Sequence, residues 1–459
     1  MKKSLILLLM AAVMVPVFAG RVTFQCTVNK KDAIYKSGET VTFTAKLLED
    51  KKPAATKKLG YRLMYDAKVL KCGYVDGTET LTFSVKADKP GWIYLRLFSF
   101  GDNDVDKLHI KRVSNPKLFV RATNMGGIGA IVDPEKLRHS KDEPADFDEF
   151  WNGVKKELAT VPVKVLEKKP VPASVIEKAR IKNPENYVFS DIKVACAGGM
   201  PVSGYLTMPK NAKPKSLPAL VTYHGAGMFS AKLNLYDIMN NTIVFDVNAH
   251  GIENSHPAQY YKDMNKKIVP GTKNIPFSAY PCANRDDRDT YYFKGMYMRV
   301  LRALEFVKTL PEWDGKILVV SGGSQGGAQV LVACAFDHDI TLARCKVPAM
   351  CDHFAAASDR IPGWPTLLTR TLKVVKHDPA KIEKCAAYYD GVYFAKRIKC
   401  PIYLYTGFID TTCAPTSVFA AYNNIPAGVK KSIYCVPTAG HSVPETQFIK
   451  VFVEHIKGK

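Results

Sequence analysis

Acidic residues are scarce in this sequence: 43 Asp and Glu stand against 65 Lys and Arg, a formal net charge of +22. The excess is spread as pairs, Lys51-Lys52, Lys57-Lys58, Lys168-Lys169, Lys266-Lys267 and Lys430-Lys431, rather than gathered in one patch. Scattered pairs read as solvated surface, and with no recognisable binding module no nucleic-acid partner is expected. The summed charge still concentrates anionic partners, such as an acidic polysaccharide, near the surface. No two of the 11 cysteines stand in a C-x-x-C spacing, so metal knuckles and dithiol redox motifs are excluded. Their number is odd and their spacing forms no disulfide framework. Several sit in apolar runs, where cysteine behaves as a small hydrophobe, so most are expected to be free and buried. Sequence alone does not decide whether Cys26 and Cys72 pair. After the first residues no apolar stretch approaches the roughly 18 residues of a bilayer-spanning helix, and no membrane span is expected.

What is present begins with Met1-Lys2-Lys3, a dense apolar run from Ser4 to Val17, and the small residues of Phe18-Ala19-Gly20. This is the pattern of an export signal cut after Ala19, with no cysteine there for a lipid anchor, so residues 1–19 are expected to be removed and the protein to be periplasmic or secreted. Four stretches then concentrate β-branched and aromatic residues: Val22 to Val28, Glu39 to Leu47, Thr80 to Val85 and Gly91 to Phe98. Turn signals at Lys36-Ser37-Gly38, Asp76-Gly77 and Lys89-Pro90-Gly91 separate them. Residues 20–124 are therefore expected to form a small all-β, immunoglobulin-like sandwich with an accessory role. Trp92 and Tyr94 on its strands are expected in the core rather than as sugar-stacking platforms. The glycines of Asn124-Met125-Gly126-Gly127 suggest the boundary, leaving 125–459 as a second, α/β domain.

In that second part, Ile317-Leu318-Val319-Val320 runs into Gly322-Gly323-Ser324-Gln325-Gly326 and then into the small-residue stretch Ala328 to Ala335. Strand, G-x-S-x-G and helix in that order make a nucleophile elbow, whose glycines permit the sharp turn that raises the serine oxygen above the sheet edge. Catalysis by Ser324 requires an acid and then a histidine further along the chain. Pro401-Ile402-Tyr403-Leu404-Tyr405 delivers Asp410 past a strand end, and Ser432-Ile433-Tyr434-Cys435-Val436 leads to His441. Residues at the carboxyl ends of strands in an open α/β sheet collect at one rim, so the three can meet. Donors for an oxyanion are expected at the amide of Gln325 and, after the run Ala219 to Tyr223, at the amide of Ala226 in His224-Gly225-Ala226-Gly227. His224 is expected to shape that loop. Such chemistry needs no metal and no organic cofactor.

Several segments together resemble the acetyl xylan esterase and cephalosporin C deacetylase family, carbohydrate esterase family seven. They are Asp146-Phe147-Asp148-Glu149-Phe150-Trp151, Tyr291-Tyr292-Phe293-Lys294 before Arg302-Ala303, the elbow, Thr406-Gly407-Phe408-Ile409-Asp410, Val418-Phe419-Ala420-Ala421-Tyr422-Asn423 and Gly440-His441. The resemblance covers residues 126 to 459. It implies an α/β-hydrolase fold, serine esterase chemistry on acetylated sugars, a triad of Ser324, Asp410 and His441, and an oxyanion hole of the Gln325 and Ala226 amides. The resemblance also allows an oligomer. The family's tyrosine is replaced by Ala226, its Arg-Gly-Gln by Asn248-Ala249-His250, and the glutamate after its histidine by Ser442. The paired loss suggests that Asn248 and Ser442 stand in, as neutral contacts, for an ion pair. Tyr291, Tyr292 and His250 are candidate substrate contacts, and the segment from His256 to Tyr292 is a candidate lid. Two other readings are a serine peptidase of the prolyl oligopeptidase kind, and a carbohydrate-binding protein with an inactive hydrolase domain. The first is disfavoured because about a hundred residues cannot form a propeller.

Overall fold

The computed structural model describes residues 21–456 apart from 119, 121, 123, 235–240, 269–278, 371–377 and 445. The expected export signal at 1–19 lies outside the described residues.

The N-terminal strands form two sheets. One joins Val22–Val28, Thr40–Glu49 and Lys52–Pro53, with Thr80–Lys86 also paired to Thr40–Glu49. The other runs in the order Ile34–Tyr35, Asn124–Val132, Gly91–Phe100, Lys58–Tyr65, Lys68–Asp76. Alternation places them face to face: Val41, Phe43, Ala45 and Leu47, every second residue of one strand, enter a single core with Leu59, Leu63, Leu95 and Ile131. Trp92 and Tyr94 are buried there, their rings stacked with centroids 3.7 Å apart. A sugar cannot reach them.

Two features depart from the sequence reading. The helix Asp104–Val113 interrupts the strands, capped by Asn103, whose Oδ1 accepts from Asp106 N–H at 2.7 Å. The boundary expected at residue 124 falls instead at the start of a strand, because Asn124–Val132 pairs along its whole length with Gly91–Phe100. Its glycines mark close approach rather than a linker. A Cβ on Gly126 would lie 2.6 Å from the Phe24 ring, and one on Gly127 2.1 Å from Leu95 O.

The rest of the chain builds a nine-stranded sheet in the order Val165–Pro170, Tyr187–Val194, Val202–Pro209, Ile243–Asn248, Leu217–Tyr223, Trp313–Gly323, Leu342–Lys346, Ile402–Gly407, Lys431–Val436. Its first four strands pair antiparallel in turn, and beyond Ile243–Asn248 every pairing is parallel. Leu217–Tyr223 and Ile243–Asn248 are buried at every position, as strands covered on both faces must be. The helix Phe147–Ala159 buries Phe147, Trp151, Val154 and Leu158 on one stripe, and the Trp151 indole N–H donates to Tyr388 O at 2.9 Å. That aromatic segment is a packing helix. All 11 cysteines are free, Cys26 and Cys72 included. Among the described residues no helix is long and apolar enough to cross a membrane.

One buried acid of the sandwich carries a pH dependence. Asp66 sits in the turn between Lys58–Tyr65 and Lys68–Asp76, in the left-handed region at φ 48, and its Oδ1 accepts from Trp92 N–H at 3.2 Å. Burial pushes its carboxyl up to about 7, with the Trp92 N–H and Arg360 pulling the other way. The folded state therefore holds this proton more tightly than the unfolded chain, and its stability falls as pH rises from about 4 to 7. Asp66→Asn, which suits a left-handed turn and keeps an acceptor for Trp92, is expected to stabilise the fold at pH 8 by on the order of 2–4 kcal/mol, seen as a higher melting temperature, with the gain shrinking toward pH 5. Melting curves of both proteins at the two pH values check this.

Candidate functional site

Ser324 joins the strand Trp313–Gly323 to the helix Gln325–Phe336 at φ 58, ψ −122, a conformation that a non-glycine residue holds only when its surroundings enforce it. They do so through its backbone. Its N–H donates to Lys346 O at 2.9 Å, and its carbonyl accepts from Ala328 and Ala349 at 3.1 and 3.0 Å. Both flanking glycines are sterically required: a Cβ on Gly322 would lie 2.3 Å from Gly326 O, and one on Gly326 2.1 Å from Tyr223 O. The loop after Leu217–Tyr223 lies against the serine, since a Cβ on Gly225 would come 3.7 Å from Ser324 Cβ.

Asp410 and His441 follow the ends of the two neighbouring outer strands, Ile402–Gly407 and Lys431–Val436. The strand ends are held together tightly: Phe408 N–H donates to Val436 O and Ile409 N–H to Ala439 O, both at 3.0 Å. Gly407 has no room for a side chain, with Ala439 O 2.2 Å from its notional Cβ. Asp410, buried, accepts at Oδ1 from the N–H groups of Thr412 at 2.8 Å and Cys413 at 3.1 Å. Its Oδ2 lies 2.8 Å from His441 Nδ1. A carboxylate accepts, so Nδ1 carries the proton and Nε2 is left with a lone pair. Cys413 closes the group, its thiol meeting the Ser324 hydroxyl. Donor atoms of Asp410, Cys413 and His441 lie within 4.8 Å of one another, a possible metal set. Burial, however, keeps the Cys413 thiol protonated, and His441 Nδ1 is engaged by Asp410.

The amide of Gln325, at the first position of its helix, lacks an intrahelical acceptor and sits at the positive end of the dipole. Ala226 lies in the facing loop. That loop is held from behind by two neutral histidines. His224 Nε2 accepts from Ala249 N–H at 3.1 Å, so Nδ1 carries the proton that goes to Gly225 O at 2.6 Å. Burial pulls its imidazole down to about 4. His250 Nε2 donates to Gly227 O at 3.0 Å, and its Nδ1 accepts from the Tyr292 hydroxyl at 2.7 Å. Burial, then His224 and Arg299, hold His250 well below the usual range.

These contacts correct several expectations. His250 and Tyr292 spend their polar atoms on each other and on the loop, while Tyr291 is a core residue whose hydroxyl donates to Pro281 O at 3.1 Å. They support the site from behind rather than offering groups to a substrate. Asn248 and Ser442 do not replace an ion pair. Asn248 is buried and saturated by Phe229 O, Asn254 Oδ1 and His250 N–H, whereas Ser442 is exposed. A short amide is satisfied by its own loop and by Phe229 O of the neighbouring one. Part of the candidate lid, 269–278, lies outside the described residues. Its Tyr280 reaches the site: the hydroxyl accepts from Gly227 N–H at 3.1 Å and donates to Gln325 Oε1, bridging the loop that carries Ala226 and the first residue of the helix after Ser324. Beside the elbow lies a cavity of about 250 Å³ lined in part by His224, Lys232, Arg344 and Lys346.

A serine strained between a parallel strand and a helix, with an acid and a histidine following at later strand ends of a mostly parallel sheet, defines an α/β-hydrolase. The profile of the acetyl xylan esterase family (AXE1) matches residues 133–453, and the chain belongs to that family. The match begins one residue after the last strand of the sandwich. The acetyl esterase Axe7A of Xylanibacter ruminicola is 32% identical over 297 residues, 64% of this chain and 63% of that protein, so the match spans a little under two thirds of that relative. The solved acetyl xylan esterase from Paenibacillus sp. R4 superposes with a TM-score of 0.56 at 22% identity, over 70% of this chain and 98% of the other. Acetyl xylan esterase 1 from Thermoanaerobacterium sp. JW/SL YS485 gives 0.55 at 22%, over 70% and 97%. Likeness at this identity speaks to the fold.

Proposed function

We propose that this protein is an exported serine esterase that removes acetyl groups from acetylated sugars or polysaccharides through an acyl-enzyme. The observation that carries the reading is the 2.8 Å contact of His441 Nδ1 with buried Asp410, which leaves Nε2 as a base at the rim that bears strained Ser324. His441 takes the Ser324 proton as the oxygen attacks the ester carbonyl, and Asp410 stabilises the imidazolium. The amides of Gln325 and Ala226 receive the developing oxyanion. Collapse expels the sugar hydroxyl with a proton from His441, and water deprotonated by His441 then releases acetate and restores Ser324. The names of the relatives support acetyl as the acyl group, and the family supports the ester class. A peptidase of the prolyl oligopeptidase kind is disfavoured, because the β part is a two-sheet sandwich rather than a propeller. A purely carbohydrate-binding role is disfavoured by the burial of Trp92 and Tyr94.

The basic residues lining the cavity beside the elbow, with the net charge of +22, favour polysaccharides that also bear carboxylates. Acetate release should be compared on acetylated xylan carrying uronic acid groups, the same xylan after carboxyl reduction, acetylated pectin, and a proline-containing peptide. Release from the uronic acid xylan, several-fold slower after reduction, is expected, with no peptide cleavage. Equal rates on both xylans would remove the acidic preference. No acetate from any substrate, with Ser324 still labelled by a phosphonate, would replace acetyl by another acyl group.

A further inference from the structure

The sandwich reaches the reaction centre through two buried contacts. The Trp92 indole N–H donates to Phe408 O at 2.7 Å, and Gly129 N–H donates to Pro437 O at 2.9 Å. Phe408 lies two residues before Asp410, and Pro437 four residues before His441. Gly129 is pressed so closely on the acid loop that a Cβ there would stand 1.9 Å from Phe408 O. Phe408 is itself buried as part of the sandwich core, together with Ala414 and Phe419 from the hydrolase side. The loops of Asp410 and His441 are thus bonded to each other and both to one wall. The wall is the strand pair Gly91–Phe100 and Asn124–Val132.

From this geometry we infer that the N-terminal sandwich is a working part of the active site, with Trp92 and Gly129 as positioning residues that fix the acid and histidine loops against each other. It is not a detachable accessory. The separation of the carboxylate and the imidazole depends on where the two loop backbones are held, and reaction geometry tolerates shifts of well under 1 Å. A carbonyl buried at Phe408 without its indole donor would be left unsatisfied, so the loop would move to find another partner. The inference rests on the roles assigned to Asp410 and His441 above.

Trp92→Phe keeps an aromatic ring and removes the N–H. We expect kcat for acetyl-ester hydrolysis to fall 10- to 100-fold with KM changed less than about threefold. The phosphonate labelling rate of Ser324 should fall in parallel, and the pH profile of kcat/KM should shift, because Asp410 no longer sets the basicity of His441 in the same geometry. Phe408→Leu, a milder change that loosens the anchor while keeping the carbonyl, should act in the same direction and covers the case in which Trp92→Phe does not fold. Val41→Ala, in the same sandwich core but on the far sheet, serves as the control: it should lower the melting temperature and leave kcat unchanged. Melting temperatures lowered in Trp92→Phe and Phe408→Leu with kcat, labelling rate and pH profile all at wild-type values would overturn the inference. So would an equal loss of kcat in Val41→Ala. If the wild-type protein released no acetate, the proposed function would fail while the labelling rates still decided this question.

Discussion

Ser324→Ala is expected to lower kcat/KM for a small acetyl ester by about 10⁴-fold or more, with the melting temperature unchanged. The variant removes the hydroxyl that, on the proposed mechanism, forms the acyl bond and keeps the Cβ, so the strained turn, the glycine contacts on either side and the amide of Gln325 all stay in place. On the proposed mechanism what remains is carbonyl polarisation by the amides of Gln325 and Ala226, and an oxyanion hole with substrate binding leaves a residual enhancement of about 10³ over water in serine hydrolases. Release of acetate by the variant at more than about one per cent of the wild-type rate, roughly a hundred times the level that a 10⁴-fold loss leaves, would remove Ser324 from the nucleophile role. Circular dichroism and a melting curve separate loss of chemistry from loss of fold.

Asp410→Asn is expected to cost about 10³- to 10⁴-fold in kcat, and the hydrogen bonds of Asp410 say why. Its Oδ1 is fixed by the N–H groups of Thr412 and Cys413, so in the variant the amide oxygen must take that place. The amide NH₂ is then turned toward His441 Nδ1, which sees a donor where it had an acceptor. Histidine responds by moving its proton to Nε2, and the nitrogen that should accept from Ser324 now carries a hydrogen. The loss is one of tautomer rather than position. Steady-state kinetics with wild-type and variant protein on one acetyl ester check the size. A drop below tenfold would mean that Asp410 does not orient the base.

The segments carrying Ser324, Asp410 and His441 could be read from sequence because each ends an apolar, β-rich run, and a parallel sheet brings such ends to one rim. Signals that depend on what lies across a contact were not legible. The glycines at 126 and 127 looked like a boundary, yet they mark approaches to Phe24 and Leu95 O, and Gly129 marks one to Phe408 O, that no local pattern announces. Tyr291, Tyr292 and His250 are polar, aromatic and near the site, but burial turned their polar atoms inward. Cys413 could have been found, since an acid at a turn recruits the amides two and three residues on, and that places the third side chain beside it. Tyr280 had no such local sign.

The bond from Trp92 to Phe408 spans 316 residues of chain. During synthesis the sandwich strands emerge and can pair long before the segment that completes their core exists. Until Phe408, Ala414 and Phe419 arrive, that core has an open apolar wall and the Trp92 indole has no buried acceptor. A segment made some 316 residues after Trp92 therefore completes the sandwich core, and on the positioning role inferred above hydrolytic competence waits until the two have closed on each other. A ribosome-stalled chain ending before Phe408 would carry that wall exposed, as a hazard for aggregation and a natural target for a chaperone.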